Sequence, residues 1–236
     1  MQESKIEMNI HPMFATPVAM CQIGRDLTGE EIEFLKNVEM HCVEHEGKPF
    51  YTDWGPSDTD LFSRPEMESI AKFCKSALLA YYDSVFPNAR PRTSLAITQS
   101  WVNRKGLDCV HTPHFHSNSF ISAVFSVWGR DPIILIPDRK PGFFDYLELS
   151  WEKSDFIATR HAVEIPRGGF LIFPSSLMHS VESIRDPEGR CTISMNTFPV
   201  GNLGSTYCLN SLKIDGAGIG SDDGYKQEGG QHEHRG

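Results

Sequence analysis

The stretch "HTPHFHSNSFISAVFSVWG", residues 111–129, combines three histidines with a run of residues that favour β-strands. It lies in a part of the chain, from residue 93 onward, where short runs rich in Val, Ile, Phe and Thr are separated by Pro and Gly. Such spacing is typical of antiparallel strands. Because two helical patterns precede these strands, the sequence predicts a mainly β fold, a sandwich or barrel with flanking helices that cover one face.

Six runs carry the predicted strands, and each is bounded by turn-forming residues. They are "TSLAITQSWVN", "SFISAVFSVWG", "PIILIP", "ATRHAVEIP", "GGFLIFP" and "RCTISMNTFPV". An earlier apolar segment, "MFATPVAMCQIG" at residues 13–24, contains a proline, and it is therefore predicted to be an edge strand or an extended entry segment. Such an edge could also pair with a second copy of the chain, which leaves room for a homodimer.

The first helical pattern covers residues 27–47. Thr28 and Glu31 form a capping box, apolar residues then recur three and four positions apart as far as Cys42, and Gly47 stops the run. The second pattern begins with Pro65 in a first-turn position and carries an apolar stripe that ends before Pro87. We interpret this stripe as a face that packs against the sheet.

These elements predict one domain over residues 1–214, with a helical part at 27–87 and a β core at 93–200. Residues 215–236 are rich in Gly and polar residues and have almost nothing to bury, so we expect a disordered tail there. The segment 137–156 is long for a loop of a compact barrel, which suggests a lid that contacts substrate.

Composition limits the classes of function. The net charge of -9 argues against long nucleic acids as partners and favours a small molecule or a peptide. No apolar run has the length of a membrane span, and the N-terminus lacks the pattern of a secretory signal, so we expect a cytoplasmic protein. The six cysteines form no CxxC pair and are expected to be reduced thiols.

The histidines are candidate metal ligands. In a strand, His114 and His116 would point to the same face, because side chains alternate with a period of two residues. His179 follows the strand "GGFLIFP", and a barrel could bring it to the first pair. Three ligands on one side of an ion leave coordination positions open, as a catalytic metal requires. The alternative is that these histidines are ordinary polar residues near a sheet edge.

A candidate anion site follows His179 in the chain. Arg190 opens the strand "RCTISMNTFPV", and Thr192 lies on the same face of that strand, so a guanidinium and a hydroxyl can together hold a carboxylate. A metal with open coordination positions beside a pair of carboxylate-binding side chains is a more specific signal than either feature alone.

The order of these motifs, HxH, then a Gly-containing turn into "FLIFPSSLMHSV", then "RCTISMN", resembles the Fe(II)/2-oxoglutarate-dependent oxygenases. It is most similar to their bacterial and phage branch with an HxH...H motif. The resemblance covers roughly residues 13–200, with the motifs confined to 99–198. It implies a double-stranded β-helix (jelly-roll, cupin-like) core and three cofactors or cosubstrates: Fe(II), 2-oxoglutarate and O2.

Carried over by position, the resemblance implies that His114 and His179 bind the metal, together with His116. It also implies that Arg190, assisted by Thr192 or Ser194, binds the distal carboxylate of 2-oxoglutarate. His116 stands where most of the superfamily has Asp or Glu, so Asp108, Glu148 or a water could instead provide the third ligand. Imidazole also suits Zn, Cu and Ni, which leaves the metal in the cell open.

Three functions are consistent with the sequence. The first is a 2-oxoglutarate-dependent oxygenase that hydroxylates a small-molecule or peptide substrate and releases succinate and CO2. The second is a cupin-like dioxygenase with three histidines that does not use 2-oxoglutarate. The third is a non-catalytic β-barrel binding module.

His111, three residues before His114, is expected to point away from the site in a continuous strand and to lie on the surface or behind the ligands.

Overall fold

The computed structural model describes residues 15–45, 48–52, 59–90, 92–137 and 158–220. Within these ranges the chain forms two antiparallel sheets that face each other, with two α-helices on the outer side of the larger one. The strands are β1 (Ala19–Gln22), β2 (His41–His45), β3 (Lys48–Thr52), β4 (Thr93–Lys105), β5 (His111–His114), β6 (Ile121–Trp128), β7 (Ile133–Ile136), β8 (His161–Val163), β9 (Gly169–Pro174), β10 (Met178–Val181), β11 (Arg190–Leu203) and β12 (Leu212–Ile214).

The larger sheet has the order β1-β9-β6-β11-β4-β3-β2, and β12 pairs with β11. The smaller sheet has the order β5-β10-β7-β8. From β4 to β11 the chain passes repeatedly from one sheet to the other, so strands that are neighbours in a sheet are distant in sequence. This is the connectivity of a double-stranded β-helix, and it confirms the predicted jelly-roll core.

Alternation along the strands of the larger sheet separates two environments. On β6, Phe125 and Val127 face the helices, whereas Val124 faces the smaller sheet. On β11, Ile193 and Met195 belong to the core beneath the helices, whereas the alternate residues Thr192 and Ser194 face the space enclosed by the two sheets. A period of two residues thus places one set of side chains in the core and the other set in a cavity.

The first helix is shorter than predicted. Helix α1 covers Gly29–Asn37 and begins with the predicted capping box, in which the backbone N–H of Glu31 donates to Thr28 Oγ1 at 3.1 Å. At Val38 the backbone becomes extended, and the region that was predicted to continue the helix to Gly47 contains β2 instead. The β2–β3 hairpin pairs onto β4 and gives these backbone groups hydrogen-bond partners in the sheet.

The second helix agrees with its prediction. A short 3-10 turn at Pro65–Met67 leads into helix α2 (Glu68–Val85), and another 3-10 turn covers Leu61–Ser63. The apolar stripe of α2 lies buried against the larger sheet, with Ile70, Cys74 and Leu78 fully enclosed. Neither this helix nor any other helix in the described ranges has the length and apolar character needed to cross a membrane.

Two boundary regions complete the fold. The predicted edge strand forms β1, which pairs with β9 at one end of the larger sheet. Near the C-terminus, the backbone N–H of Ile219 donates to the carbonyl of Leu95 at 2.6 Å, so the chain as far as Gly220 lies against β4. Residues 138–157, which include most of the predicted lid and Glu148, and residues 221–236 of the predicted tail lie outside the described residues.

Candidate metal centre

Three histidines converge at the end of the cavity between the two sheets. β5 and β10 are antiparallel neighbours, and His114 lies directly opposite His179 in their register. His116 follows β5 by two residues, and its backbone N–H donates to the carbonyl of Ser175 at 3.0 Å, which holds it beside the other two. One ring nitrogen from each histidine lies within 4.8 Å of those of the other two. The structure therefore brings together all three histidines singled out from the sequence.

Hydrogen bonds fix which nitrogen of each ring is available. His114 Nδ1 lies 2.8 Å from the carbonyl oxygen of Thr112, and His179 Nδ1 lies 3.0 Å from that of Leu177. A carbonyl oxygen only accepts, so in both rings Nδ1 carries the proton and donates it. Nε2 is then left with its lone pair, the form in which imidazole binds a metal.

His116 is held by side chains rather than by the backbone. Its Nδ1 lies 2.5 Å from Asn196 Oδ1, which also accepts a hydrogen bond from Ser122 Oγ at 2.9 Å. Ser122 is fully buried and lies 2.8 Å from the hydroxyl of Ser175, so the support behind His116 is a polar network within the sandwich. This network leaves His116 Nε2 available as well.

The environment keeps the three rings neutral. Burial, followed by the field of His114, lowers the pKa of His179 to about 3. Burial also lowers the pKa of His114 and of His116 below the ordinary histidine range. Metal ions bind the unprotonated imidazole, so the donor set fits a divalent transition metal at neutral pH.

The cavity extends from the histidines toward the paired ends of β4 and β11 and has a volume of about 260 Å³. Arg190, Thr192 and Ser194 all line it, as expected for alternate residues of one strand. Arg190 is only 6% exposed, and burial lowers its pKa to about 10 while the field of Asp131 opposes this change. The guanidinium therefore stays charged at neutral pH, inside a cavity that also holds the histidines.

His111 does not point away from the site. β5 places His114 opposite His179 and His111 opposite Val181, so three residues of β5 span the distance covered by two residues of β10. This bulge turns His111 to the same side as His114, and the two rings stack with centroids 4.1 Å apart. The expectation that His111 points away from the site is wrong because it assumed a strand without a bulge. Of the two positions that the sequence left open, the one behind the ligands agrees with the stacking of His111 on His114.

Three more residues were considered for the site: Asp108, Trp101 and Asn103. Asp108 lies in an exposed turn and accepts a hydrogen bond from Ser183 Oγ at 3.4 Å, and it is not part of the histidine group. Trp101 and Asn103, at alternate positions of β4, both line the cavity, and Asn103 Nδ2 donates to Ser194 Oγ at 2.8 Å.

Sequence reasoning missed two residues of the site. Asn196 supports His116, and Lys105 lines the cavity at the end of β4. A signal for both was present in the strand period: Asn196 continues the alternation of Arg190, Thr192 and Ser194, and Lys105 continues that of Trp101 and Asn103.

Comparison with known proteins agrees with this geometry. Residues 99–196, which contain all three histidines and Arg190, match a family model described as "Putative 2OG-Fe(II) oxygenase". No curated protein matches the sequence. The fold is similar to that of several solved structures at low sequence identity.

The epimerase SnoN from nogalamycin biosynthesis is 14% identical, with a TM-score of 0.53 over 86% of this chain and 88% of that chain. The carbocyclase SnoK from the same biosynthesis is 12% identical, with a TM-score of 0.53 over 86% of this chain and 90% of that chain. A prolyl hydroxylase from Trichoplax adhaerens is 9% identical, with a TM-score of 0.52 over 77% and 83%.

The family match over residues 99–196, the likeness of the fold and the three-histidine site together support assignment of the chain to the Fe(II)/2-oxoglutarate-dependent oxygenase superfamily. These findings point to a non-haem iron oxygenase, a class whose cofactors and cosubstrates are Fe(II), 2-oxoglutarate and O2.

Proposed function

We propose that this protein hydroxylates a small-molecule or peptide substrate and couples this reaction to the conversion of 2-oxoglutarate into succinate and CO2. One observation carries the proposal: three neutral imidazoles and a buried guanidinium line the same cavity. The imidazoles suit a metal, and the guanidinium suits the distal carboxylate of a dicarboxylic oxo acid.

In this proposal, His114, His116 and His179 hold Fe(II) through their Nε2 atoms. Their Nδ1 hydrogen bonds to Thr112, Asn196 and Leu177 keep each ring in the required orientation and tautomer. When bound, Fe(II) supplies the activation of O2 that amino-acid side chains lack. Three ligands leave further coordination positions for the cosubstrate and O2.

Arg190, with Thr192 or Ser194, binds the distal carboxylate of 2-oxoglutarate. Because none of the three imidazoles carries a negative charge, the full divalent charge of the metal remains for the cosubstrate dianion to balance. This is the consequence of His116 standing where most of the superfamily has a carboxylate. Residues of β10 and β11 would thus hold the two ends of the cosubstrate.

Hydroxylation is the reaction that we favour for this chain. The similar structures include a prolyl hydroxylase, an epimerase and a carbocyclase, so the fold serves several reactions. Trp101 lies beside His116, with ring centroids 5.9 Å apart, and presents an apolar surface next to the metal site. We propose that the substrate packs near this ring.

The three-histidine set favours one second candidate, a cupin-like dioxygenase whose organic substrate itself binds the metal and that uses no oxo acid. Succinate formation separates the two candidates. Purified protein supplied with Fe(II), 2-oxoglutarate, O2 and ascorbate, which provides the two electrons that reduce the second oxygen atom to water when no substrate is present, should form succinate. Arg190→Ala should need far more 2-oxoglutarate while it retains its metal. Arg185→Ala removes an exposed guanidinium and is the matched control. Absence of succinate from iron-loaded wild-type protein would favour the cupin-like reaction.

A further inference from the structure

A second buried cation lies next to Arg190. Lys105 is the last residue of β4, Arg190 is the first residue of β11, and the two are partners in the antiparallel register. Lys105 is 3% exposed and Arg190 is 6% exposed, and both residues line the cavity that contains the three histidines. Two cationic side chains therefore meet at one end of this cavity.

The placement of Lys105 follows from the strand. Trp101, Asn103 and Lys105 occupy alternate positions of β4 and all line the cavity, whereas Arg104 points to the opposite face and donates to the carbonyl of Val38 at 2.9 Å. The Lys105 ammonium donates to the carbonyl of Val110 at 3.3 Å. This contact holds the amine at the end of the cavity.

Two positive charges that are buried on paired residues of neighbouring strands repel each other. Burial, followed by the field of Arg190, lowers the pKa of Lys105 to about 7, and the thiol of Cys109 acts weakly in the opposite direction. A carboxylate placed between the two cations would reverse this balance, because each cation would then face an opposite charge. The pair thus forms a site whose physical chemistry favours an anion.

We propose that Lys105 is a second binding residue for the distal carboxylate of 2-oxoglutarate, opposite Arg190, and that the pair selects dicarboxylic over monocarboxylic 2-oxo acids. This inference rests on the proposed function, since it assigns a further residue to the same cosubstrate. A site with two cations discriminates by charge, because only a ligand with a distal carboxylate brings an opposite charge to both of them.

Binding to the protein loaded with Mn(II) tests the proposal without turnover. Isothermal titration calorimetry compares 2-oxoglutarate with 2-oxopentanoate, which has the same chain length but no distal carboxylate. In Lys105→Met, 2-oxoglutarate should bind about 10- to 100-fold more weakly, as expected for the loss of a charged hydrogen bond, while 2-oxopentanoate binding stays within about two-fold. Arg104→Met removes a charge from the other face of the same strand and should leave both affinities nearly unchanged.

The outcomes separate this inference from the proposed function. If wild-type protein prefers 2-oxoglutarate and Arg190→Met loses that preference, but Lys105→Met keeps it, the role of Lys105 is overturned while the proposed function stands. If Lys105→Met weakens both ligands equally, Lys105 has only a structural role, and the inference is again overturned. If metal-loaded wild-type protein binds 2-oxoglutarate no better than 2-oxopentanoate, the proposed function fails as well.

Discussion

Raising the pH should weaken the binding of 2-oxoglutarate through the titration of Lys105. Burial and the field of Arg190 lower the pKa of this amine to about 7, whereas a bound carboxylate would raise it. The complex therefore binds more protons than the free protein above neutral pH. By linkage, affinity is fully present below the pKa of the free protein and is lost as the pH rises through it.

The magnitude follows from the titration curve. With a pKa of about 7, the charged fraction of Lys105 falls from about one half at pH ~7 to about 3% at pH ~8.5. If the neutral form binds about 10- to 100-fold more weakly, as expected for Lys105→Met, the apparent Kd should rise about 4- to 12-fold. Arg190 stays charged over this range, because its pKa is lowered only to about 10. His111, which also faces Lys105, is kept neutral throughout, because burial followed by the field of Lys105 lowers its pKa.

Calorimetry on Mn(II)-loaded protein measures this effect directly. Titrations in buffers with different ionisation enthalpies report proton uptake, which should approach one proton per bound 2-oxoglutarate above neutral pH. Lys105→Met should bind more weakly but with little dependence on pH. An apparent Kd that stays constant from pH ~7 to ~8.5 in the wild type, or the same rise in Lys105→Met, would refute the reasoning.

Three further substitutions test the support of the site and the fold. Asn196→Leu removes the acceptor of His116 Nδ1 and should lower Mn(II) affinity about 10- to 100-fold, measured by calorimetry, whereas unchanged affinity would remove Asn196 from the metal site. Phe125→Ala should lower the free energy of unfolding in urea by about 3–5 kcal/mol, because this ring is fully buried, and a loss below about 1 kcal/mol would contradict its core position. Gly189→Ala should cost about 1–3 kcal/mol, because Gly189 has φ +71° and an added Cβ would strike the Lys105 carbonyl. Gly106→Ala, where a Cβ meets open space, is the control, and an equal loss in both variants would count against this clash.

Much of the β core was predictable because its signals are local. Apolar alternation identified β4, β6, β9 and β11, and the same period placed Arg190, Thr192 and Ser194 on one face. The double-stranded β-helix itself was implied by the resemblance to the oxygenase family. The structure adds the pairing of distant strands, which brings His179 opposite His114.

The errors arise where tertiary contacts override local patterns. The apolar spacing from Ile32 to Cys42 is compatible with one continuous helix, yet pairing of the β2–β3 hairpin with β4 ends α1 at Asn37. The bulge in β5 depends on its register with β10, and no residue type in "HTPH" signals it. Lys105 escaped notice because a lysine at a strand end is usually exposed, and its burial depends on the neighbouring strand β11.

The central claim is that His114, His116 and His179 bind one metal ion, and metal stoichiometry tests it most directly. Tag-free protein loaded anaerobically with Fe(II) and then desalted should retain about one iron per chain by elemental analysis. His179→Ala should retain almost none, while His161→Ala, on strand β8 and outside the histidine group, should match the wild type. Stoichiometric iron in His179→Ala, or no iron in the wild type, would contradict the account.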